Sequence, residues 1–476
     1  MRSHFISGLA ALILISFAAI PVSGLEIRGS IAGSVGGQSN LFDGSSFIWD
    51  PQNFAGFYYD IDRDLGSETL TMTATDWNRL SGDEPYGISY ETNDPIKALS
   101  NAKVDMAYGR LRVAAIDNAN GRIILDNKDN TITLAKNKNI ELIPGIYIRT
   151  ADNDTLRFYI YKEITDPGTY ELRGAVAGTI NGQSNLLDGN SFTWNPQNFA
   201  GFYYDISNDI GTETLTATLT DGNNLSGEPY PYGLTYTAVA QMEDFEYEPW
   251  GSYQAIGFMG EKYFAGYIEK NSQYDSGYES ILFRVSADEN SLADEQLEKI
   301  LLDEDASRIV KKGESIKLKE GYELVLKGIS DEEKVYLNLL KDGKVVDESF
   351  IAPSKYEATQ FDKTYYYRKN VGSQENLAII AVHFRTTYKD EDYTMAIADG
   401  IWQVSETPTP VYVDTKYGKM TIRSVDASNG AIAMENKDES ITLTKNSDID
   451  LMPGISIRTA NNDTLRFYIY RTEVIK

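Results

Sequence analysis

The 476-residue sequence contains no cysteine and only two histidines, His4 and His383. Disulfides, thiolate chemistry and zinc–thiolate sites are therefore excluded, and stability must come from packing, repetition or assembly. A multi-histidine metal site cannot be built either, since His4 falls in the N-terminal segment considered next. His383 lies in an apolar, strand-like run, where a lone histidine is more often packed than catalytic. We therefore predict that the protein is not an enzyme.

Apolar runs long enough to cross a membrane are missing beyond residue 25. The first residues instead resemble an export signal, with Arg2 ahead of an apolar stretch over 8–20 and a small-residue pattern over 22–24. We predict that residues 1–24 are a signal peptide, that the protein is exported to the cell surface, and that no direct membrane span remains after the signal is removed. Attachment to a membrane would then need a partner.

Basic residues are few relative to acidic ones, 44 against 70, which gives a net charge of −26. Such a surface repels nucleic acid and attracts cations, so we predict no nucleic-acid partner. Two clusters, 126–130 and 152–154, are rich in Asp and Asn and could supply oxygen ligands to calcium. Asx-rich turns look the same without metal, and neither cluster has the spacing of a calcium loop. We predict no cofactor other than divalent cations such as calcium, and we assign no metal ligand.

Comparison of the sequence with itself reveals a duplication. Residues 26–71 align without gaps on 171–216 with 32 of 46 positions identical, and 105–161 match 414–470. The offset is 145 for the first pair and 309 for the second, so the later copy carries 164 additional residues between its halves. Insertions of that size are tolerated where the two chain ends emerge close together at the surface.

The duplication predicts the domain organisation. The first repeat covers residues 25–166 and is shortened. The second repeat covers residues 167–236 plus 412–476, and a separate inserted segment covers residues 237–411. We expect each of the three to be a β-sandwich.

Residue alternation in the repeated parts is typical of strands with one buried and one wet face. Apolar residues alternate with threonine over 69–75, and the copy repeats the pattern over 214–219. Short strands separated by Asn-Gly, Asp-Gly and Asn-Asp turns favour tandem antiparallel β-sandwiches, an all-β fold. One short helix is predicted over 291–304, where Leu292, Leu297, Ile300 and Leu301 fall near one helical face.

Two aromatic positions and three sequons are the remaining candidate sites. Trp49 and Trp194 each precede a turn, and they could stack on a sugar or anchor one sheet on the other; anchoring is the commoner role. Candidate glycosylation sites are Asn153, Asn224 and Asn462, each in an Asn-x-Ser/Thr motif. Asn153 and Asn462 occupy equivalent repeat positions, which implies a shared surface loop. We assign no catalytic or cofactor-binding residue.

Several long motifs resemble the duplicated-domain S-layer proteins of methanogenic archaea. The motifs, in family order, are Gly37-Gln38-Ser39-Asn40-Leu41, Trp49-Asp50-Pro51-Gln52-Asn53-Phe54-Ala55-Gly56-Phe57-Tyr58-Tyr59-Asp60-Ile61, Trp250-Gly251-Ser252-Tyr253, Glu261-Lys262-Tyr263-Phe264-Ala265-Gly266-Tyr267, Lys344-Val345-Val346-Asp347 and Asp399-Gly400-Ile401-Trp402-Gln403. The resemblance implies paired β-sandwiches that tile into a glycosylated lattice outside the cytoplasmic membrane.

The chain departs from that family pattern in two respects. Its first copy lacks the inserted sandwich, and its sequence ends at Lys476 without the stalk and membrane helix of a principal lattice protein. These departures are what we would expect of a minor, accessory or released coat component.

The resulting hypothesis is a structural S-layer protein that contributes to an acidic, glycosylated, porous envelope lattice, acting as a protective coat and molecular sieve. Its partners would be other S-layer subunits or itself. The alternative is a secreted module that binds glycan at the cell surface, or that adheres to another cell, because the 32 tyrosines suit flat adaptable contacts.

Overall fold

The computed structural model describes residues 24–93, 103–186, 191–219, 222–228, 232–266, 291–389 and 394–475. The predicted signal peptide, apart from Gly24, lies outside the described residues. Within them the regular secondary structure is almost entirely strand, numbered β1 to β42 below, with one four-residue helix and one 3-10 turn, Glu248–Trp250. The predicted all-β fold class is confirmed.

The first repeat contains fifteen described strands. They are β1 (Leu25–Val35), β2 (Gln38–Ser39), β3 (Ser46–Trp49), β4 (Tyr59–Asp60), β5 (Leu65–Gly66), β6 (Glu68–Thr73), β7 (Arg79–Leu80), β8 (Ile88–Thr92), β9 (Ala107–Tyr108), β10 (Leu111–Asp117), β11 (Arg122–Asp126), β12 (Ile132–Thr133), β13 (Asn139–Ile143), β14 (Ile146–Thr150) and β15 (Arg157–Ile164).

Two antiparallel sheets of the first repeat enclose one core. The five-stranded sheet has the order β13-β14-β15-β1-β2, and the six-stranded sheet has the order β3-β6-β8-β11-β10-β9. Buried side chains of both sheets form one cluster, which includes Trp49 from β3 and Phe158 from β15. The predicted alternation is present in β6, where Leu70 and Met72 are fully buried between half-buried threonines. This arrangement is the antiparallel sandwich expected from the sequence.

The second repeat contains strands from both sides of the inserted segment. The strands before it are β16 (Gly168–Arg173), β17 (Ala177–Ile180), β18 (Gln183–Ser184), β19 (Ser191–Trp194), β20 (Glu213–Thr218), β21 (Asn224–Leu225) and β22 (Leu234–Val239). The strands after it are β36 (Lys416–Tyr417), β37 (Met420–Asp426), β38 (Ala431–Glu435), β39 (Ile441–Thr442), β40 (Asp448–Met452), β41 (Ile455–Thr459) and β42 (Arg466–Ile475).

The sheets of the second repeat have the same strand order as those of the first. One six-stranded sheet runs β19-β20-β22-β38-β37-β36, and the other runs β18-β17-β42-β41-β40 with β16 also paired to β42. β22 and β38 are direct neighbours, with Thr235 opposite Glu435, just as β8 and β11 are neighbours in the first repeat. The backbone of the second copy therefore continues its sheet across the inserted residues.

The inserted segment forms two further sheets. Its strands are β23 (Gln241–Asp244), β24 (Ser252–Phe258), β25 (Glu261–Gly266), β26 (Gln296–Glu304), β27 (Arg308–Lys311), β28 (Ser315–Lys317), β29 (Tyr322–Ile329), β30 (Val335–Lys341), β31 (Lys344–Ile351), β32 (Thr364–Val371), β33 (Gln374–Lys389), β34 (Thr394–Val404) and β35 (Thr409–Pro410). A nine-stranded sheet centred on β24-β25-β26-β34-β33-β32 faces the four-stranded sheet β28-β29-β30-β31 across one core.

The helix predicted over 291–304 is wrong, because Gln296–Glu304 is strand β26, paired with β25 and β34. Leu297 is buried in the core shared with the second repeat. Glu298 is also fully buried, in contact with Gln296 and Ser291. A strand covered on both faces loses the alternation that distinguishes it from a helix. The observed helix is α1 (Gln360–Lys363), capped by Thr359 and Asp362.

Candidate functional site: the junction between the repeats

The two repeats contact each other through equivalent surfaces, which we call the junction. It comprises residues 28–36, 50–64 and 152–157 of the first repeat and their counterparts 173–181, 195–209 and 461–466 of the second. A contact made by one repeat is generally matched by the same contact made by the other. Such a self-complementary arrangement is the intramolecular form of a two-fold interface.

Glutamine side chains provide the first pair of matched hydrogen bonds. The backbone N–H of Ile31 donates to Oε1 of Gln197, and the backbone N–H of Val176 donates to Oε1 of Gln52, at 3.0 Å in both cases. Both glutamines lie in the Pro-Gln-Asn-Phe motif that is repeated in the sequence. The motif therefore serves contacts between the repeats as well as the fold of each.

Aspartate side chains provide the second pair. The N–H of Gly36 donates to Oδ2 of Asp209 at 2.7 Å, and the N–H of Asn181 donates to Oδ2 of Asp64 at 2.5 Å. Asp64 and Asp209 both adopt left-handed backbone conformations, with φ near 56°. Aspartate tolerates this conformation better than most residues, which is consistent with its use in both turns.

Buried arginines provide the third pair. Arg157 donates through Nη1 to the carbonyls of Ile206 at 2.6 Å and Ser207 at 3.2 Å in the opposite repeat. Its counterpart Arg466 donates to the carbonyls of Ile61 and Asp62, at 2.8 Å each. Hydrogen bonds from charged donors are stronger than neutral ones, so these bonds hold the loops of the opposite repeat firmly.

Two of the three candidate glycosylation sites lie at the junction. Nδ2 of Asn153 donates to the carbonyl of Ser207, and Nδ2 of Asn462 donates to the carbonyl of Asp62. Asn462 is exposed and Asn153 is half-buried. The third, Asn224, lies in β21, outside the junction.

The candidate tryptophans lie inside the sandwiches. Trp49 and Trp194 are both fully buried, and their indole N–H groups donate to the carbonyls of Ser30 and Ala175 at 2.8 and 2.7 Å. The ring of Trp49 lies 5.9 Å from that of Phe158 on the facing sheet. The anchoring interpretation is confirmed, and neither ring is available to stack on a sugar.

The Asx-rich clusters proposed for calcium are occupied by structural hydrogen bonds. Asn127 is fully buried and accepts from the N–H of Ile88 at 3.0 Å, while Asp126 accepts from Arg112. In the second cluster, Asp154 pairs with Lys136 at 3.0 Å. Over the described ranges no three Asp, Glu or His side chains are grouped so as to hold a metal ion. The divalent-cation hypothesis remains a prediction.

His383 is buried between two polar partners. Its Nδ1 lies 2.5 Å from Oδ1 of Asp399, and its Nε2 lies 3.2 Å from the hydroxyl of Tyr247, whose ring stacks on the imidazole. Both ring nitrogens therefore face groups that pin the side chain within the inserted segment. The packed interpretation of His383 is confirmed.

A buried carboxyl group that the sequence interpretation missed lies beside the inserted segment. Glu213 is fully buried and accepts from the hydroxyl of Tyr236 and from the N–H groups of Tyr203 and Gly260, at 2.8 to 3.0 Å. Burial raises the pKa of Glu213 to about 7, against the lowering effect of these hydrogen bonds. The only sequence feature that marks Glu213 is that it recurs: the segment Glu-Thr-Leu-Thr is present in both repeats, and Glu68 is the equivalent residue in the first.

A second polar cluster lies on the strands of the inserted segment. Glu243 forms an ion pair with Lys262, and Asp303 accepts from the hydroxyl of Tyr253 at 3.1 Å. Burial raises the pKa of Glu243 to about 7 and that of Asp303 to about 6, although Lys262 acts in the opposite direction on both. The sequence around Glu243 and Asp303 did not indicate that these carboxyl groups are buried, because charged residues in strands usually face solvent.

Comparison with known proteins identifies the family. The family model described as "S-layer protein" matches residues 38–106 and 183–461. The chain belongs to the S-layer protein family. Members of the family build the layer on the outside of the cell, so the protein is a cell-surface protein, as predicted from the sequence. The predicted resemblance is likewise confirmed.

Three similar proteins are each named Major S-layer protein. The one from Methanosarcina mazei is 28% identical over 403 residues, covering 83% of this chain and 51% of its own length. The protein from Methanosarcina acetivorans is 30% identical over 383 residues, with 78% and 50% covered. That from Methanosarcina barkeri is 30% identical over 359 residues, with 73% and 47% covered. The chain thus spans about half the length of these relatives.

None of the helices formed by the described residues of this S-layer family member has the length and apolar character needed to cross a membrane.

Proposed function

We propose that this chain is a structural subunit of an acidic, glycosylated and porous envelope lattice, that it serves as a protective coat and molecular sieve, and that it has no catalytic role. Membership of the S-layer family supports the structural part of the proposal. The net charge of −26 supports the sieve, because apertures lined by carboxylates repel small anions within a Debye length of about 8 Å at physiological salt.

The observation that carries the proposal is the junction. Matched hydrogen bonds from glutamine, aspartate and arginine side chains tie the loops of each repeat to the backbone of the other. A coat subunit must transmit lateral force from one sandwich to the next without separating. Contacts distributed over equivalent surfaces, several of them charge-assisted, suit that requirement.

The expected partners are other S-layer subunits or further copies of this chain, with a tether supplied by a partner and surface glycan as an additional contact. We propose that Asn153, Asn224 and Asn462 are glycosylated in the native protein. At Asn153 and Asn462 a glycan would leave one Nδ2 hydrogen, enough to keep the bond to Ser207 or Asp62. Mass spectrometry of protein from native envelopes would establish occupancy at each site, and unmodified asparagine at all three would contradict this proposal.

We also propose that residues 25–166, 167–236 plus 412–476, and 237–411 are separate folding units. Limited proteolysis followed by mass spectrometry tests this division. Cuts concentrated in the connections between the units, with a surviving fragment that spans most of residues 237–411, are the expected result. Uniform degradation through the inserted segment would contradict it.

The lattice proposal is tested by assembly. Purified protein is concentrated with and without calcium, examined by electron microscopy, and mixed with isolated cell envelopes. Ordered arrays or saturable envelope binding are expected. Protein that stays monomeric under both conditions and does not bind envelopes would refute the proposal, and saturable binding to a defined glycan without assembly would favour the adhesion alternative.

A further inference from the structure

Two equivalent arginines face one small cavity at the centre of the junction. Arg28 of the first repeat and Arg173 of the second line it together with residues 52–55 and 196–200, which again come from both repeats. Both arginines are buried, with 9% and 8% of their surface exposed. The cavity therefore lies where the two repeats meet, with one guanidinium contributed by each.

Neither guanidinium is neutralised by a carboxylate. Among the described residues neither Arg28 nor Arg173 has an acidic side chain within ion-pair distance. Other arginines near the junction do form ion pairs, Arg149 with Glu26 and Arg157 with Asp209. The nearby carboxyl of Glu26 is held by Arg149 at 2.8 Å and by the hydroxyl of Tyr159 at 2.7 Å. Its counterpart Glu171 is held in the same way by the counterparts of those two residues. Glu26 and Glu171 raise the pKa of Arg28 and Arg173 from a distance, but neither carboxylate forms an ion pair with them.

The positions of the two guanidinium groups are fixed by their other contacts. Nη1 of Arg28 donates to the carbonyl of Pro196 at 2.6 Å, and Nη1 of Arg173 donates to that of Gly174 at 3.3 Å. Each group also lies against tyrosine rings from both repeats, with Arg28 5.1 Å from the ring of Tyr204 and Arg173 5.2 Å from that of Tyr59. These contacts leave Nη2 of both arginines buried without a hydrogen-bond partner in the described part of the chain.

A buried, unpaired guanidinium is costly, because arginine keeps its proton and because each unsatisfied donor loses its hydration. Burial lowers the pKa of both arginines and outweighs the raising effect of the nearby tyrosines and carboxylates. The cavity measures about 10 Å³, at the lower end of the range that holds one small compact particle. Oxoanions such as sulfate or phosphate are too large for it.

We infer that Arg28 and Arg173 bind one monatomic anion, a halide such as chloride, which joins the two repeats at the centre of the junction. Nη2 of each arginine donates to the ion, so one bound particle satisfies both orphaned donors and offsets part of the paired positive charge. The site requires both repeats, since each supplies half of the donors. Halide binding therefore stabilises the association of the repeats and the folded chain as a whole.

The test is a titration of the full-length protein at constant ionic strength. Sodium gluconate, whose anion is too large for the cavity, is replaced stepwise by sodium chloride or sodium bromide while thermal unfolding is followed. The expected result is a saturable rise of about 2 to 4 °C in the unfolding midpoint. A midpoint that does not respond to halide, or that rises linearly without saturation, would overturn the inference.

Variants locate the effect. Arg173→Met removes half of the donors and is expected to abolish the saturable response, whereas Arg79→Met, at an arginine outside the junction with a side chain 43% exposed, should retain it. A response that persists in Arg173→Met would contradict the site. Crystals of the wild-type protein grown in bromide give a second measurement that does not depend on the variant folding. One anomalous bromide peak between the two guanidinium groups is expected, and a water molecule there without anomalous signal would refute halide binding.

Discussion

Nδ2 of Asn462 donates a hydrogen bond to the carbonyl oxygen of Asp62, 3.0 Å away, although 400 residues separate the two in sequence. Asn462→Ala removes this bond in protein made without glycosylation. We expect a loss of about 1 kcal/mol in the free energy of unfolding, measured by urea titration.

The matched control is Asn429→Ala. Asn429 also lies in an exposed turn of the second repeat, but its side chain bonds to Asp426 within the same turn. Its effect should stay within about 0.5 kcal/mol. Equal losses in the two variants would mean that the junction bond contributes no more than a local turn contact.

The raised pKa of Glu213 predicts a pH dependence of stability. Because the folded-state pKa of about 7 exceeds the ordinary value of 4.5, the folded protein binds the proton more tightly than the unfolded chain. The resulting stabilisation is fully present below pH 4.5 and is lost as the pH rises through 7, by roughly 3 kcal/mol. Glu243 and Asp303 contribute in the same direction.

The variant Glu213→Gln measures how much of the pH dependence of stability comes from Glu213. The neutral amide has nearly the same shape, so urea titrations between pH 4.5 and 8 should show a shallower decline than the wild type. Glu68→Gln is the control, since Glu68 is the half-buried equivalent whose carboxylate accepts from Tyr58 and Tyr90. Identical slopes in wild type and Glu213→Gln would show that Glu213 does not titrate in this range.

Trp49 is expected to act through packing alone. Trp49→Ala leaves a cavity between the two sheets of the first repeat and should cost about 3 to 5 kcal/mol of unfolding free energy. Trp77→Ala, at a tryptophan that is 71% exposed, should change stability by at most about 0.5 kcal/mol. A folded, undestabilised Trp49→Ala would contradict the anchoring role.

Gly178 tolerates no side chain. Its φ is +119°, and a Cβ there would lie 2.2 Å from the carbonyl oxygen of Leu465. Gly178→Ala therefore combines backbone strain with a clash against backbone, and we expect a loss above about 3 kcal/mol. Gly182→Ala is the comparison, because its φ is +77° and a Cβ there meets nothing within 4 Å. It should lose only about 1 kcal/mol by the same denaturation assay.

The duplication made much of the fold predictable. Identical residues in two copies imply identical elements, and the alternation at Leu70 and Met72 marked a strand with one buried face. The strand β26 was mistaken for a helix because its residues are buried or half-buried on both faces, so buried and exposed positions do not alternate along it. The buried state of Glu213 could not be foreseen, since its donors lie in three separate segments, 10, 23 and 47 residues away.

The junction was equally hidden from sequence reasoning. Gln52 and Gln197 lie in a conspicuous repeated motif, yet a motif present in both copies is explained as readily by the fold of one copy as by contact between two. Only the spatial relation of the repeats shows that each glutamine accepts from the backbone of the other repeat.

We expect the six-stranded sheets of the two repeats to form at different times during synthesis of the chain. Leu125 in β11 pairs with Tyr90 in β8, only 35 positions earlier, whereas Met434 in β38 must find Tyr236 in β22 across nearly 200 residues. Domains nearer the N-terminus fold first, and distant pairings form slowly. We therefore expect the sandwich of the first repeat to be complete while the second repeat still lacks its C-terminal strands. The junction loops of the first repeat, residues 50–64, should then be in place when the strands of the second repeat dock against them.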